Sequence, residues 1–141
     1  MTLLFVDDDK DDVELTLLGF RHEGFEHEII VARDGQHALD LLRSDYAGAR
    51  PLPGAIMTDL KMTRMDGLEF FHRLKEDPRL RNIPVAFLTS SGDENDQAEA
   101  MRLGASHYLR KPSDLGDYAE IVARIREIMG TTAPEGRRRT P

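Results

Sequence analysis

The chain has no cysteine. That absence excludes disulfides, thiolate nucleophiles and every Cys-ligated zinc or iron–sulfur centre. No apolar run approaches the ~20 residues a membrane-spanning helix requires. Met1–Val6 is apolar, but it is far too short for the hydrophobic region of a signal segment and runs straight into Asp7. The expectation is a soluble cytoplasmic domain without a membrane partner. Positive charge is also in deficit, with 19 Lys/Arg against 26 Asp/Glu and a formal net charge of −7. A surface of that sign argues against nucleic acid as the main partner. The 141 residues suffice for one ordinary domain and leave little for a second.

What is present is an alternation. Short apolar runs at Leu3–Val6, Glu28–Ala32, Ala55–Thr58, Ile83–Leu88 and His107–Arg110 read as five strands. Between and after them lie segments of helical period. The first carries Val13, Leu17 and Phe20, with Asp11 or Asp12 as its expected N-cap. The second carries Ala38, Leu41 and Leu42, and the third Leu68, Phe71 and Leu74 with Phe70 beside them. The fourth carries Ala98, Met101 and Leu103 and closes at Gly104. The last has the cleanest stripe: Tyr118, Ile121, Val122, Ile125, Ile128 and Met129. Five β units alternating with five α units predict an α/β fold, a parallel sheet with helices on both faces. Residues 1–130 form the expected domain, and 131–141, with Arg137-Arg138-Arg139, the expected disordered tail.

In such sheets ligands bind outside the carboxyl ends of the strands. The first strand ends in Asp7-Asp8-Asp9, the third in Asp59, the fourth in Thr89-Ser90-Ser91 and the fifth in Lys111-Pro112. A strand order of 2-1-3-4-5 would bring Asp7, Asp8 and Asp59 to one edge. Converging carboxylates repel unless a cation or proton intervenes. An oxygen-only cluster without His or Cys suits Mg²⁺. A carboxylate beside such a metal can accept a phosphoryl group, with Lys111 and Thr89 binding the incoming oxygens. Asp7–Asp12 also reads as an acidic helix start, which suits Asp11 and Asp12. An EF-hand loop on Asp7, Asp9 and Asp11 fails, because Asp12 stands where Gly is needed and Leu18 where Glu is needed. His22, His27, His37, His72 and His107 share no metal-ligand spacing. Thr58 reads as strand filler and Asp66-Gly67 as a turn and helix start.

Taken in order, Val6-Asp7-Asp8, Thr58-Asp59-Leu60-Lys61-Met62, Met65-Asp66-Gly67, Leu88-Thr89-Ser90 and Lys111-Pro112 resemble the signature motifs of response-regulator receiver domains, across residues 1–130. The resemblance implies a flavodoxin-like five-stranded sheet and Asp59 as phosphoacceptor. It implies that Asp8 ligates Mg²⁺ directly, Asp7 through water, and the Lys61 backbone carbonyl completes the site. Thr89 and Lys111 would bind the phosphoryl group, the latter across a cis Lys111–Pro112 bond, and Thr89 with the aromatic Tyr108 would form the switch. One position departs: the family usually has Met-Pro where this chain has Met62-Thr63, which leaves the following loop less rigid.

Asp77-Pro78-Arg79-Leu80-Arg81-Asn82-Ile83-Pro84-Val85, Leu88-Thr89-Ser90-Ser91 and Lys111-Pro112-Ser113-Asp114-Leu115 are similar to single-domain regulators serving bacterial phytochrome kinases. The implied partner is therefore a histidine kinase, a bacteriophytochrome on the narrower reading. The eleven residues after the last helix are too few for an output domain. A homodimer is expected through the helix 4–strand 5–helix 5 face, on Ile121, Ile125, Ile128, Arg124 and Arg126. Two alternatives stay open: an Asp-nucleophile phosphohydrolase, disfavoured because Lys61 stands where a second acid usually lies, and a phosphorylation-independent scaffold.

Overall fold

The three inner strands are short apolar runs because they are covered on both sides, as buried parallel strands are. The computed structural model describes residues 1–44 and 51–130; the expected tail and Arg137–Arg139 lie outside these residues. In chain order the elements are β1 (Thr2–Val6), α1 (Lys10–His22), β2 (Glu28–Ala32), α2 (Gly35–Ser44), β3 (Ala55–Thr58), α3 (Gly67–Glu76), β4 (Val85–Thr89), α4 (Glu94–Arg102), β5 (His107–Arg110), a 3-10 turn (Leu115–Tyr118) and α5 (Ala119–Ile128). The five strands pair in parallel in the order β2-β1-β3-β4-β5, as expected. No helix among the described residues is long and apolar enough to cross a membrane.

Side chains of a strand alternate between faces, and this splits the core in two. Leu4, Val6, Ile56, Val85 and Phe87 pack on one face with α2 and α3, against Leu39, Leu42, Phe70, Phe71 and Leu74. Leu3, Phe5, Met57, Ala86 and Leu88 pack on the other with α1 and α5, against Phe20, Ile121, Val122 and Ile125. Tyr118 closes the second layer, its hydroxyl 2.9 Å from Thr16 Oγ1.

Several expectations need correction. The N-cap of α1 is Asp9, whose Oδ1 accepts from Asp12 N at 3.0 Å; Asp11 and Asp12 occupy the first turn. The fourth strand starts at Val85, because Pro84 has no N–H and the Ile83 N–H is used in a turn on the Leu80 carbonyl. On α4 only Ala100 is buried, while Ala98 and Met101 face solvent. The inward stripe is Asp96, Glu99, Ala100 and Leu103, half of it acidic, so apolar periodicity points to the wrong side. Ile121 and Ile125 are core residues under α5, not surplus surface, and only Ile128 of the three reaches solvent in part. The Lys111–Pro112 bond is trans, the isomer a tertiary amide favours by about 0.5–1 kcal/mol; no described peptide bond is cis.

Candidate functional site

The parallel register sets the site. Val6 and Thr58 are paired across β1 and β3, so the residues that follow, Asp7 and Asp59, emerge side by side at the carboxyl edge. Asp7 N donates to the Ala32 carbonyl at 3.0 Å and Asp59 N to the Val6 carbonyl at 2.8 Å, which fixes both backbones. Thr58, more than filler, donates its buried hydroxyl to the Asp59 carbonyl at 2.9 Å. Gly67 comes so close that its N–H reaches the Leu60 carbonyl at 2.7 Å, and a Cβ there would overlap the Asp59 carbonyl oxygen. Asp66 caps α3 by accepting from Glu69 N at 2.9 Å.

Lys111 lies among three carboxylates. Its Nζ is 2.7 Å from Asp12 Oδ2, 2.9 Å from Asp59 Oδ2 and 2.9 Å from Asp7 Oδ2. Its own N–H holds the Thr89 carbonyl at 2.9 Å, so β5 and β4 deliver the ammonium together. Burial works against its charge, but the close contacts with the Asp12, Asp59 and Asp7 carboxylates outweigh it and push the ammonium pKa well above the ordinary lysine value. The Asp7 carboxyl moves upward too. Burial is the largest cause, opposed by the Asp9 N–H and by Lys111 and reinforced by the Asp59 charge.

The two buried aspartates are held differently. Asp59 is 6% exposed; its Oδ1 accepts from Leu60 N at 2.7 Å and its Oδ2 from Lys111. Asp7 Oδ1 accepts from Asp9 N at 2.9 Å. Asp7 Oδ2 is in ion-pair contact with Lys111 at 2.9 Å but is buried without a hydrogen bond. Asp8 is exposed and its Oδ2 accepts from Thr63 N at 3.0 Å. Lys61 projects outward, its Nζ 3.4 Å from Asp96 Oδ2 on α4.

Thr89 is buried, and its Oγ1 accepts from Ser91 N at 3.2 Å rather than bonding Asp59. Tyr108 packs its ring near Phe87, with centroids 6.0 Å apart, and its hydroxyl donates to the Ser91 carbonyl at 3.5 Å. Burial raises the Tyr108 phenol pKa. The structure thus gathers Asp7, Asp59, Thr89 and Lys111 at one edge, with Asp8 and Lys61 on its rim and Tyr108 behind Ser91. Sequence reasoning missed Asp12 as a partner of Lys111, although its place in the acidic run at the start of α1 was a usable signal. It also missed Arg64, whose Nε meets Asp34 Oδ2 at 2.9 Å.

Among the described residues no group of three or more His, Cys, Asp or Glu is arranged to hold a metal ion, and the Lys111 ammonium sits among the carboxylates of Asp7, Asp12 and Asp59. The donor set nevertheless fits a hard divalent cation. It is all oxygen, and the buried Asp7 Oδ2 accepts no hydrogen bond, its charge faced by the Lys111 ammonium 2.9 Å away.

Carboxylates, an ammonium and a buried hydroxyl lie together at the carboxyl edge of a β2-β1-β3-β4-β5 sheet, the architecture of the receiver modules of two-component signalling. Residues 3–125 match the response regulator receiver domain, and the chain belongs to that family. Among curated relatives, a probable methanogenesis regulatory protein, FilR2, of Methanothrix harundinacea (strain 6Ac) is 36% identical, over 89% of this chain and 81% of its own length. Among solved structures, the phosphorylated cyanobacterial phytochrome response regulator RcpA is 33% identical with a TM-score of 0.79, covering 94% of this chain and 95% of that one. The Mn(2+)-bound form of response regulator Rcp1 is 32% identical with a TM-score of 0.76, covering 94% and 98%. In size and fold this chain therefore stands close to phytochrome response regulators.

Proposed function

We propose that this chain is a single-domain response regulator, residues 1–130, that accepts a phosphoryl group from a partner histidine kinase onto Asp59. The observation that carries the reading is the Lys111 Nζ to Asp59 Oδ2 contact at 2.9 Å, at a nearly buried carboxylate on a strand end. A carboxylate oxygen of Asp59 attacks the phosphorus of a phosphohistidine; the O–P bond forms, the P–N bond breaks, and the imidazole leaves and takes up a proton. Asp7, Asp8, Asp59 and the Lys61 carbonyl would hold Mg²⁺, which when bound offsets charge on the phosphoryl oxygens. The Lys111 ammonium shifts from Asp12 and Asp7 toward the new oxygens, and the Thr89 hydroxyl donates to another. The Mn(2+)-bound Rcp1 relative supports a divalent cation in this role.

Phosphorylation adds about −1.5 to −2 charges. Ser91 joins the two switch residues, since its N–H bonds Thr89 Oγ1 and its carbonyl receives the Tyr108 hydroxyl. A Thr89 hydroxyl drawn to the phosphoryl group releases the Ser91 N–H, and the same peptide carries the change to Tyr108. That supports a two-state signal at the α4–β5–α5 face. A second copy docking there would meet exposed Met101 and half-buried Ile128. The likeness to RcpA supports a bacteriophytochrome as the kinase.

An acyl-phosphate donor with Mg²⁺ should label the wild-type chain once and leave Asp59→Asn unlabelled. Full labelling of Asp59→Asn at another residue would overturn the assignment. Phosphotransfer profiling against histidine kinases from the same genome tests the partner.

A further inference from the structure

Position 63 is where receiver domains usually carry a proline, which has no backbone N–H to give. Here it is Thr63, and its N–H donates to Asp8 Oδ2 at 3.0 Å, joining residues 55 apart in sequence. We infer that the Thr63 amide is a positioning group of the cation site, holding the Asp8 carboxylate in its ligating orientation. The inference rests on Asp8 being a cation ligand.

Three observations carry it. Asp8 is exposed, so its carboxylate has no packing to choose a rotamer for it. The donor, by contrast, belongs to an anchored segment. Arg64 Nε bonds Asp34 Oδ2 at 2.9 Å, and Asp34 Oδ1 in turn accepts from His37 N at 2.8 Å at the start of α2. On the other side Met65 is buried in the core. A pinned N–H facing a free carboxylate positions the carboxylate, not the reverse. Finally, the bond uses Oδ2 alone; Asp8 Oδ1 accepts no hydrogen bond from a described residue and stays available to a cation. The same bond ties Asp8 to the loop that bears the Lys61 carbonyl, two residues before Thr63. The loop that carries Thr63 in place of the usual proline is thus held by a hydrogen bond from the Thr63 amide to Asp8 and an ion pair from Arg64 to Asp34. Hydrogen bonds to ligating carboxylates change metal affinity by roughly 10–100-fold. Because this one is solvent-exposed, the lower end applies.

The test is Mn²⁺ binding to the unphosphorylated chain, read from the free-ion electron paramagnetic resonance signal, with thermal melts as a check on folding. Thr63→Pro should weaken Mn²⁺ roughly tenfold, while Thr63→Ala, which keeps the N–H, should bind like wild type. Proline also stiffens the loop, so a second variant carrying an ester in place of the Met62–Thr63 amide removes the donor alone. It should show the same loss, and it decides the matter if Thr63→Pro does not fold. Unchanged affinity in the ester variant, or an equal loss in Thr63→Ala, would overturn the inference. Asp8→Asn separates the two levels. If it abolishes binding while the ester variant binds normally, only the positioning role falls. If Asp8→Asn binds Mn²⁺ like wild type, the ligand assignment falls with it.

Discussion

Replacing Lys111 by methionine keeps the length and apolar stem of the side chain and deletes its charge. Lys111 is 9% exposed, against 0% for the Asp7 side chain and 9% for Asp59, so these two contacts are buried ion pairs. Asp12 is 41% exposed, and its contact is screened and worth little. Removing one partner of a buried pair costs about 3–5 kcal/mol, because the other charge is left uncompensated. Here one cation serves two buried carboxylates that also repel each other. Water reaching Asp59 relieves part of the cost, so Lys111→Met should lose about 3 kcal/mol at neutral pH. That is a large share of the 5–15 kcal/mol typical of a domain.

The pH dependence gives the argument a second edge. A lysine whose folded pKa is raised contributes stability that is complete below its unfolded value and is lost only as pH climbs through the folded one. Lys111 therefore creates no acid-side dependence in the wild type. Asp7 has the opposite sign: its folded pKa is raised by burial, so ionising it costs stability as pH rises from the ordinary carboxylate value through the folded one. Without the ammonium that penalty grows. The deficit of Lys111→Met should shrink as the pH is lowered from about 7 toward 5. Mg²⁺ should stabilise the variant more than the wild type, since a cation then fills a charge vacancy. Urea titrations at both pH values, with and without Mg²⁺, read all of this. A wild-type midpoint for the variant at neutral pH, or a deficit that stays constant on acidification, would refute the reasoning.

Gly67→Ala should cost about 2 kcal/mol despite the better helix propensity of alanine, because the new Cβ overlaps the Asp59 carbonyl oxygen and lies 3.0 Å from both Leu60 Cα and Phe87 Cε1; urea unfolding together with the acyl-phosphate labelling rate checks it, and an unaltered protein on both counts contradicts it. Met101→Glu should leave labelling intact while lowering any phosphorylation-dependent self-association by light scattering, since Met101 is the large apolar side chain that α4 exposes, at 44%. A phosphorylated wild-type chain that stays monomeric at high micromolar concentration would remove the homodimer.

How far the chain can be read without its structure depends on the range of the interaction concerned. β1, β3 and β4 are legible because burial on both faces demands uninterrupted apolar residues, and α5 because its apolar stripe lies directly on the sheet. On α4 the same logic fails: the side facing the protein carries Asp96 and Glu99, with Asp96 paired to Lys61 across the site, so polarity there reports a functional neighbour and not solvent. The cap of α1 was ambiguous for a related reason, since Asp9, Asp11 and Asp12 are chemically equal and only backbone geometry selects Asp9.

The strand-end residues could be placed at one edge from the alternation of elements alone, but their partners could not. Whether Lys111 reaches Asp12 depends on a side chain crossing from β5 to α1, 99 residues apart in sequence. Thr63 is the sharper instance. As a sequence feature it is only a missing proline, a loss of stiffness. In three dimensions the same substitution adds a donor, and that donor finds Asp8, an exposed aspartate of the acidic run. A departure from a motif has to be judged by the groups it introduces as well as by those it removes, and a backbone N–H is a group that side-chain comparison does not count.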